Sequence, residues 1–312
     1  MRNKLSKVAV LIGCYNHEEF IIPCLESVKN QTYPNVDIYL ADDCSQDKTQ
    51  EVIIGYLRDH PTLNLKVTFN KINKGIASNY NSLIESALKD QEVEYIIPFA
   101  GDDLMRKDKV ELQVNALQAE PKVCLCYSNM QWFNSETGKK IINHFNFFFK
   151  PELIIENIIS EALIPTPTLC IKRDALEQVR YNNELKYIND YLFAVELAIF
   201  GNGVVYIPDN LVFYRKHGES IMDTRTFSDE RLQASDIIKR KYGYEQAAMK
   251  FSKTAEYDEV LDCFYRNKYK VAFKRALILF PTFFSSKKWF FRLLKLLFII
   301  KNKLINSIII RK

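Results

Sequence analysis

The sequence predicts an α/β protein with a mostly parallel sheet, helices on both faces, and a helical C-terminal extension. Three observations carry this expectation. Short apolar runs alternate with stretches of helical spacing through the first 130 residues. Two acidic pairs, Asp42-Asp43 and Asp102-Asp103, each close one of those apolar runs. The 312 residues suffice for one large α/β domain plus an appendage.

The elements follow in order. Val8–Ile12 is a buried strand, and Phe20–Gln31 has helical spacing with Ile21, Leu25 and Val28 on one side. Val36–Ala41 is the second strand. Ser45 is the expected N-cap of a helix through Tyr56. Leu65–Asn70 and Glu94–Phe99 are strands flanking a helix over Ile76–Leu88. A helix over Lys107–Ala119 stops before Pro121, and Val123–Tyr127 is the fifth strand. Asn129–Pro167 is less regular, with an aromatic run at Phe145–Phe149 and a Pro-Thr-Pro turn at Pro165–Pro167; a lid and a packed excursion over the sheet edge both fit. Tyr191–Phe200 is a helix closed by Gly201, followed by short strands at Val204–Ile207 and Leu211–Tyr214. Beyond Phe227 the pattern is helical. The organisation expected is residues 1–225 as the α/β domain and 226–312 as a helical region.

The composition narrows the class. Aromatics make up 13% of the chain and glycine and proline are sparse, which excludes disorder. The seven cysteines are scattered and odd in number, fitting a reducing cytosol better than a disulfide framework. Cys124-x-Cys126 lacks the spacing of a zinc knuckle and reads as strand packing. The net charge is +5, but residues 287–312 carry eight basic and no acidic side chains, leaving the rest at −3. A mildly acidic body with a basic tail argues against nucleic acid and for a local anionic contact. There is no P-loop, no His-Glu-x-x-His and no Gly-x-Ser-x-Gly elbow.

Carboxylates at the carboxyl ends of strands suit a hard divalent cation, and such cations bind phosphate oxygens. The acidic pairs therefore point to one cleft for a nucleotide and a metal. Around them runs an ordered series: Val8 through Asn16, Asp42-Asp43-Cys44-Ser45-Gln46-Asp47, Asn73 through Asn81, Gly101-Asp102-Asp103, Asn189-Asp190, and Tyr214-Arg215-Lys216-His217-Gly218-Glu219-Ser220. Over residues 5 to 225 this series resembles the family 2 glycosyltransferases of the GT-A fold, which use nucleotide-diphospho-sugars with inversion.

The resemblance implies roles. Tyr15 stacks on the nucleobase, and Asp43 accepts a hydrogen bond from a uracil N–H. Asp102 and Asp103 form the diphosphate and metal site, Asp103 being the direct ligand of Mn²⁺ or Mg²⁺ and His217 a second one. Asn81 and Arg215 belong to the nucleotide-sugar side, where Arg215 pairs with a phosphate or an internal carboxylate. Asp190 is the general base. The chain departs from the family pattern at Ala100, where an Asp often stands, at Tyr80, where Arg is common, and at Asn189, where many relatives have Glu.

The expected reaction is transfer from a UDP-sugar to a hydroxyl of a glycan acceptor, lipid-linked, in O-antigen or capsule synthesis. A catalytically silent relative that recruits nucleotide sugar or scaffolds an assembly complex is the alternative. In the tail, Lys288, Arg292, Lys295, Asn302 and Asn306 fall on one helical stripe. Trp289, Phe290, Phe291, Leu294, Leu297 and Phe298 cover the rest, with Lys301 the exception. That pattern suits an interfacial helix on an anionic membrane surface, making the protein cytoplasmic and peripheral on the cytosolic face of the inner membrane.

Overall fold

The computed structural model describes residues 5–141, 154–161, 164–216, 228–265 and the single positions 272, 274, 276 and 277. The aromatic run Phe145–Phe149, His217 and the basic tail lie outside these described residues. The chain divides into two compact units, Met1–Ile221 and Met222–Lys312.

Among the described residues, the first unit is built on one nine-stranded sheet. Its strands are β1 (Lys7–Cys14), β2 (Val36–Asp42), β3 (Leu65–Phe69), β4 (Val93–Ala100), β5 (Leu104–Met105), β6 (Leu125–Asn134), β7 (Lys140–Ile141), β8 (Cys170–Lys172) and β9 (Val205–Lys216). The order is β3-β2-β1-β4-β8-β6-β9-β5, with β7 on β6. The helices are α1 (Ile21–Lys29), α2 (Thr49–Asp59), α3 (Ile76–Leu88), α4 (Lys109–Ala119), α5 (Ile155–Glu161), α6 (Arg173–Gln178) and α7 (Asn189–Phe200).

The expected parallel sheet holds for half of this array. β3, β2, β1 and β4 pair in parallel. Helical crossovers link them, so both faces are covered, and Val8–Leu11 are wholly buried. From β4 onward the sheet is mixed: β8 runs antiparallel to both β4 and β6, while β9 runs parallel to β6. Pro98 tolerates its central position because β8 pairs only with Tyr95 and Ile96.

Several expected boundaries move for identifiable reasons. Ser45 does not cap a helix; its hydroxyl donates to Asp42 and accepts the Asn16 N–H, and α2 begins at Thr49. The two short strands expected over 204–214 are one strand, β9, whose register against β6 shifts at Asn129. There the Asn129 amide donates to the Pro208 carbonyl and its oxygen accepts the Tyr206 hydroxyl, which absorbs the irregularity. The Pro165–Pro167 turn contains a single 3-10 turn, Thr166–Thr168.

A fully buried lysine anchors that turn. Lys109 Nζ donates to Gln113 Oε1 and to the Leu169 carbonyl, and Gln113 Nε2 donates to the Thr168 carbonyl at 2.6 Å. Burial lowers the Lys109 pKa to about 8.

In the second unit, α8 (Ser228–Tyr242) and α9 (Glu245–Tyr265) form a helical pair. Gly243, at φ 76°, makes the turn between them. Ala234 and Ile238 of α8 are buried, as are Ala248, Phe251 and Ala255 of α9, and Arg231 donates to Thr254 Oγ1 at 3.0 Å.

The lysine gives a pH signature. Unfolded Lys109 holds its proton to its ordinary value of 10.5, whereas the folded side chain releases it near 8. Between those values the unfolded state binds more protons, so this group makes stability rise with pH, by about 3 kcal/mol in total. Urea unfolding between pH 7.5 and 10 is expected to show that rise in the wild type and not in Lys109→Met; equal slopes would contradict it.

Candidate active site

The four parallel strands end at one edge of the sheet, and the loops leaving that edge carry the chemistry. Cys14 is opposite Asp42, and Gly13 is opposite Ala100. The ladder continues past the strand ends: Asp43 N–H donates to the Cys14 carbonyl and Gly101 N–H to the Gly13 carbonyl. Tyr15, Asp43 and the Asp102-Asp103 corner therefore emerge from three adjacent strands, as the sequence led us to expect.

The loops after β1 and β2 are laced together. Asn16 N–H donates to Ser45 Oγ and Asn16 Oδ1 accepts the Gln46 N–H, both at 2.8 Å. His17 N–H donates to Thr49 Oγ1 at 2.8 Å. Asn16 and Cys44 hold left-handed conformations, φ 56° and 64°. That backbone is costly for a residue with a side chain, and here the cross-links hold it in place. The result leaves the Tyr15 side chain 42% exposed, available as a stacking surface.

Asp42 and Asp43 divide the work. Asp42 braces its own turn, accepting from Ser45 N–H and Gln50 Nε2. Asp43 reaches the opposite loop, with Oδ1 accepting from Asn70 Nδ2 at 3.0 Å and Lys74 N–H at 2.9 Å, and Oδ2 from Gly75 N–H at 2.8 Å. Gly75 precedes α3 at φ 80°, a conformation glycine adopts without strain. A carboxylate offers about four acceptor directions, so the Asp43 side chain is held firm with capacity left for a base N–H.

The acidic corner is tight. Asp103 is fully buried, and its Oδ1 accepts the Arg215 backbone N–H at 2.9 Å. Its Oδ2 is buried without a hydrogen-bond partner among the described residues. Burial, then the charge of Asp102, holds the Asp103 carboxyl well above the usual range; the Arg215 N–H and the charges of Arg215 and Lys216 oppose this. β5 pairs with Val212 and Phe213, which brings the end of β9 beside the corner. Arg215 Nε donates to the Asp102 carbonyl at 2.7 Å, and its guanidinium lies between the rings of Phe20 and Phe133, 4.8 and 4.7 Å from their centres.

Gly101 is the tightest point of this edge. A Cβ there would lie 2.9 Å from both Cys14 Cβ and His17 Nδ1.

Asp190 sits in the first turn of α7, exposed, with Oδ1 accepting the Tyr191 N–H at 2.7 Å. Three rings join this helix to the strand ends. Tyr80 donates its hydroxyl to the Phe99 carbonyl at 2.7 Å and packs on Gly13. Tyr181 stacks on Tyr80 at 5.3 Å and on Phe193 of α7 at 3.9 Å. Asn81 grips the Tyr181 backbone at both ends, donating to its carbonyl and accepting its N–H at 2.9 Å each. Sequence reasoning missed this arrangement because its partners lie 100 residues apart with no periodicity linking them. Tyr80 thus packs at the position where Arg is common in the family that the sequence resembles.

A family model described as Glycosyl transferase family 2 matches residues 9–180. The chain belongs to that family. Among curated relatives, the Streptococcus pneumoniae glycosyltransferase GlyG is 23% identical over 82% of this chain and 91% of its own length. The Escherichia coli UDP-Glc:α-D-GlcNAc-diphosphoundecaprenol β-1,3-glucosyltransferase WfaP is 27% identical over 74% of this chain and 85% of its own. Among solved structures, Staphylococcus aureus TarS 1–349 in complex with UDP-GlcNAc superposes with a TM-score of 0.63 at 22% identity, covering 78% of this chain and 71% of that one. That likeness is one of fold, the GT-A arrangement.

The family 2 cleft has a donor set that fits a divalent cation. A buried carboxylate oxygen without a partner, beside a second carboxylate, is hard-ligand chemistry awaiting positive charge. Among the described residues no three His, Cys, Asp or Glu side chains converge on one point. Asp103 and Asp102 would hold the ion. His217, the other expected ligand, lies outside the described residues.

Gly101→Ala tests the packing of this edge. It is expected to lower unfolding free energy by about 1–3 kcal/mol, because Cys14 and His17 are fixed by neighbouring elements. A urea midpoint equal to wild type would show that the edge yields.

Proposed function

We propose that this family 2 protein is an inverting, metal-dependent glycosyltransferase that moves a sugar from a UDP-sugar to a hydroxyl of a lipid-linked glycan in bacterial surface-polysaccharide synthesis. The observation that carries the reading is the partnerless oxygen of Asp103, buried beside Asp102 at the carboxyl edge of the sheet. The donor and acceptor classes draw support from WfaP, whose name specifies UDP-Glc and a diphosphoundecaprenol-linked acceptor.

The chain's own groups divide the reaction. Tyr15 offers its exposed face to the base, and Asp43, locked by the 70–75 loop, accepts its N–H. Arg215, packed against the Phe20 and Phe133 rings, places positive charge next to the diphosphate. A bound divalent cation supplies the Lewis acidity that stabilises the departing diphosphate. Asp190 takes the proton from the acceptor hydroxyl as that oxygen attacks the anomeric carbon from the face opposite the leaving group. The new C–O bond forms as the bond to phosphate breaks, so configuration inverts without a covalent intermediate.

The basic tail, residues 287–312, would bring this cleft to a membrane-bound acceptor. Its eight positive charges and bulky apolar side chains support peripheral attachment at an anionic cytosolic leaflet. Among the described residues no helix is long and apolar enough to cross a membrane.

The decisive experiment measures UDP release from a panel of UDP-sugars, with and without Mn²⁺, in the presence of a lipid-linked acceptor. Turnover that requires Mn²⁺ is expected, and Asp190→Asn should cut it by roughly two to four orders of magnitude while leaving UDP-sugar binding intact. Normal turnover in Asp190→Asn would remove Asp190 as the base. A second measurement addresses the tail: deletion after Ser286 should abolish salt-sensitive binding to anionic liposomes, and wild-type protein that ignores such liposomes would refute attachment.

A further inference from the structure

The ring stack contains a buried polar group that the reaction above does not use. Tyr181 is 3% exposed, and its hydroxyl is buried without a hydrogen-bond partner among the described residues. Leaving such a group unpaired costs about 1–3 kcal/mol, and native proteins seldom do so without a reason. The side chain cannot escape the cost by turning. Its ring is held between Tyr80 and Phe193, and Asn81 clamps its backbone N–H and carbonyl.

Two groups act electrostatically on this phenol. Burial raises its pKa most, followed by Tyr80 and then Asp190. The Tyr80 oxygen is already engaged, donating to the Phe99 carbonyl and bonded to the Gly13 backbone. Asp190 is a carboxylate, the acceptor a phenol pairs with most strongly. It lies three residues before Phe193 on α7, so the ring stacked on Tyr181 and the carboxylate share a helix face.

We propose that Tyr181 is a positioning residue for Asp190. When the Asp190 side chain turns toward an acceptor, the Tyr181 O–H donates to one carboxylate oxygen and leaves the other aimed at the attacking hydroxyl. Fixed at its ring and backbone, Tyr181 would set the angle of the base without reorganising itself. The partnerless hydroxyl is then a pre-organised donor whose partner arrives in the reacting state. The inference rests on Asp190 being the base.

Tyr181→Phe removes the oxygen and keeps the stack. The expected result is a kcat lowered about tenfold with the KM for UDP-sugar unchanged, and a melting temperature equal to or above wild type because an unpaired polar group has gone. Tyr181→Leu removes the ring as well and should lower the melting temperature. Assayed together with Asp190→Asn, these variants separate the possibilities. If Asp190→Asn is inactive while Tyr181→Phe keeps wild-type kcat, this inference falls and the base assignment stands. If Tyr181→Phe loses activity only in step with a melting temperature lowered to that of Tyr181→Leu, the hydroxyl is purely structural and the inference also falls. Normal turnover in Asp190→Asn overturns the base assignment and the inference with it.

Discussion

A carboxylate is buried at the end of β4 with one oxygen satisfied and the other not, and the cleft is organised around that imbalance. Asp103 Oδ1 takes a backbone N–H from Arg215, a residue 112 positions away, and that bond ties the end of β9 to the end of β4. The other oxygen, fully buried and beside Asp102, has no hydrogen-bond partner among the described residues, and the charges of Arg215 and Lys216 only partly offset its burial. A domain stabilised by a small net free energy tolerates such a group only where something else compensates. Here the surrounding ties are numerous: the Arg215–Asp102 hydrogen bond, the ring sandwich on the guanidinium, and the close approach at Gly101. These ties hold the corner in one geometry.

The same principle governs the loops after β1 and β2 by different means. Asn16 and Cys44 hold left-handed backbones, fixed by hydrogen bonds between the two loops and by those of Asp42 and Gln46 within the second. Asp43 then links these loops to the start of α3. The loops that would surround a base are therefore braced by one another, and rigidity there reduces the ordering cost of binding. Around α7, aromatic stacking adds to hydrogen bonding as the brace, with Tyr80, Tyr181 and Phe193 joining strand ends to the helix of Asp190.

Much of the fold was legible because the parallel half of the sheet announces itself. Buried parallel strands are continuous apolar runs, and their crossover helices have a clear period. The helix over Ile76–Leu88 was placed to the residue, and Gly201 ends α7 as expected. The mixed half was harder. β8 has three residues and β5 has two, too short for any pattern, and each owes its existence to a neighbour distant in sequence. Ser45 misled because a serine before a helix reads as a cap, whereas the nearby Asp42 and Asn16 compete for it.

By itself, the sequence determined the chemistry available at the carboxyl edge: two acidic pairs, an aspartate before a helix, and the motif order that places the chain in its family. These are local signals, set by residue type and short spacing. Only the tertiary structure decided how those groups are used. It committed Asp42 to a turn, Asp43 to the facing loop and Asn81 to the Tyr181 backbone, and left one Asp103 oxygen and the Tyr181 hydroxyl without hydrogen-bond partners among the described residues. The physical reason is that a hydrogen bond is satisfied in space, and the chain that closes around a polar group is seldom the chain next to it in sequence.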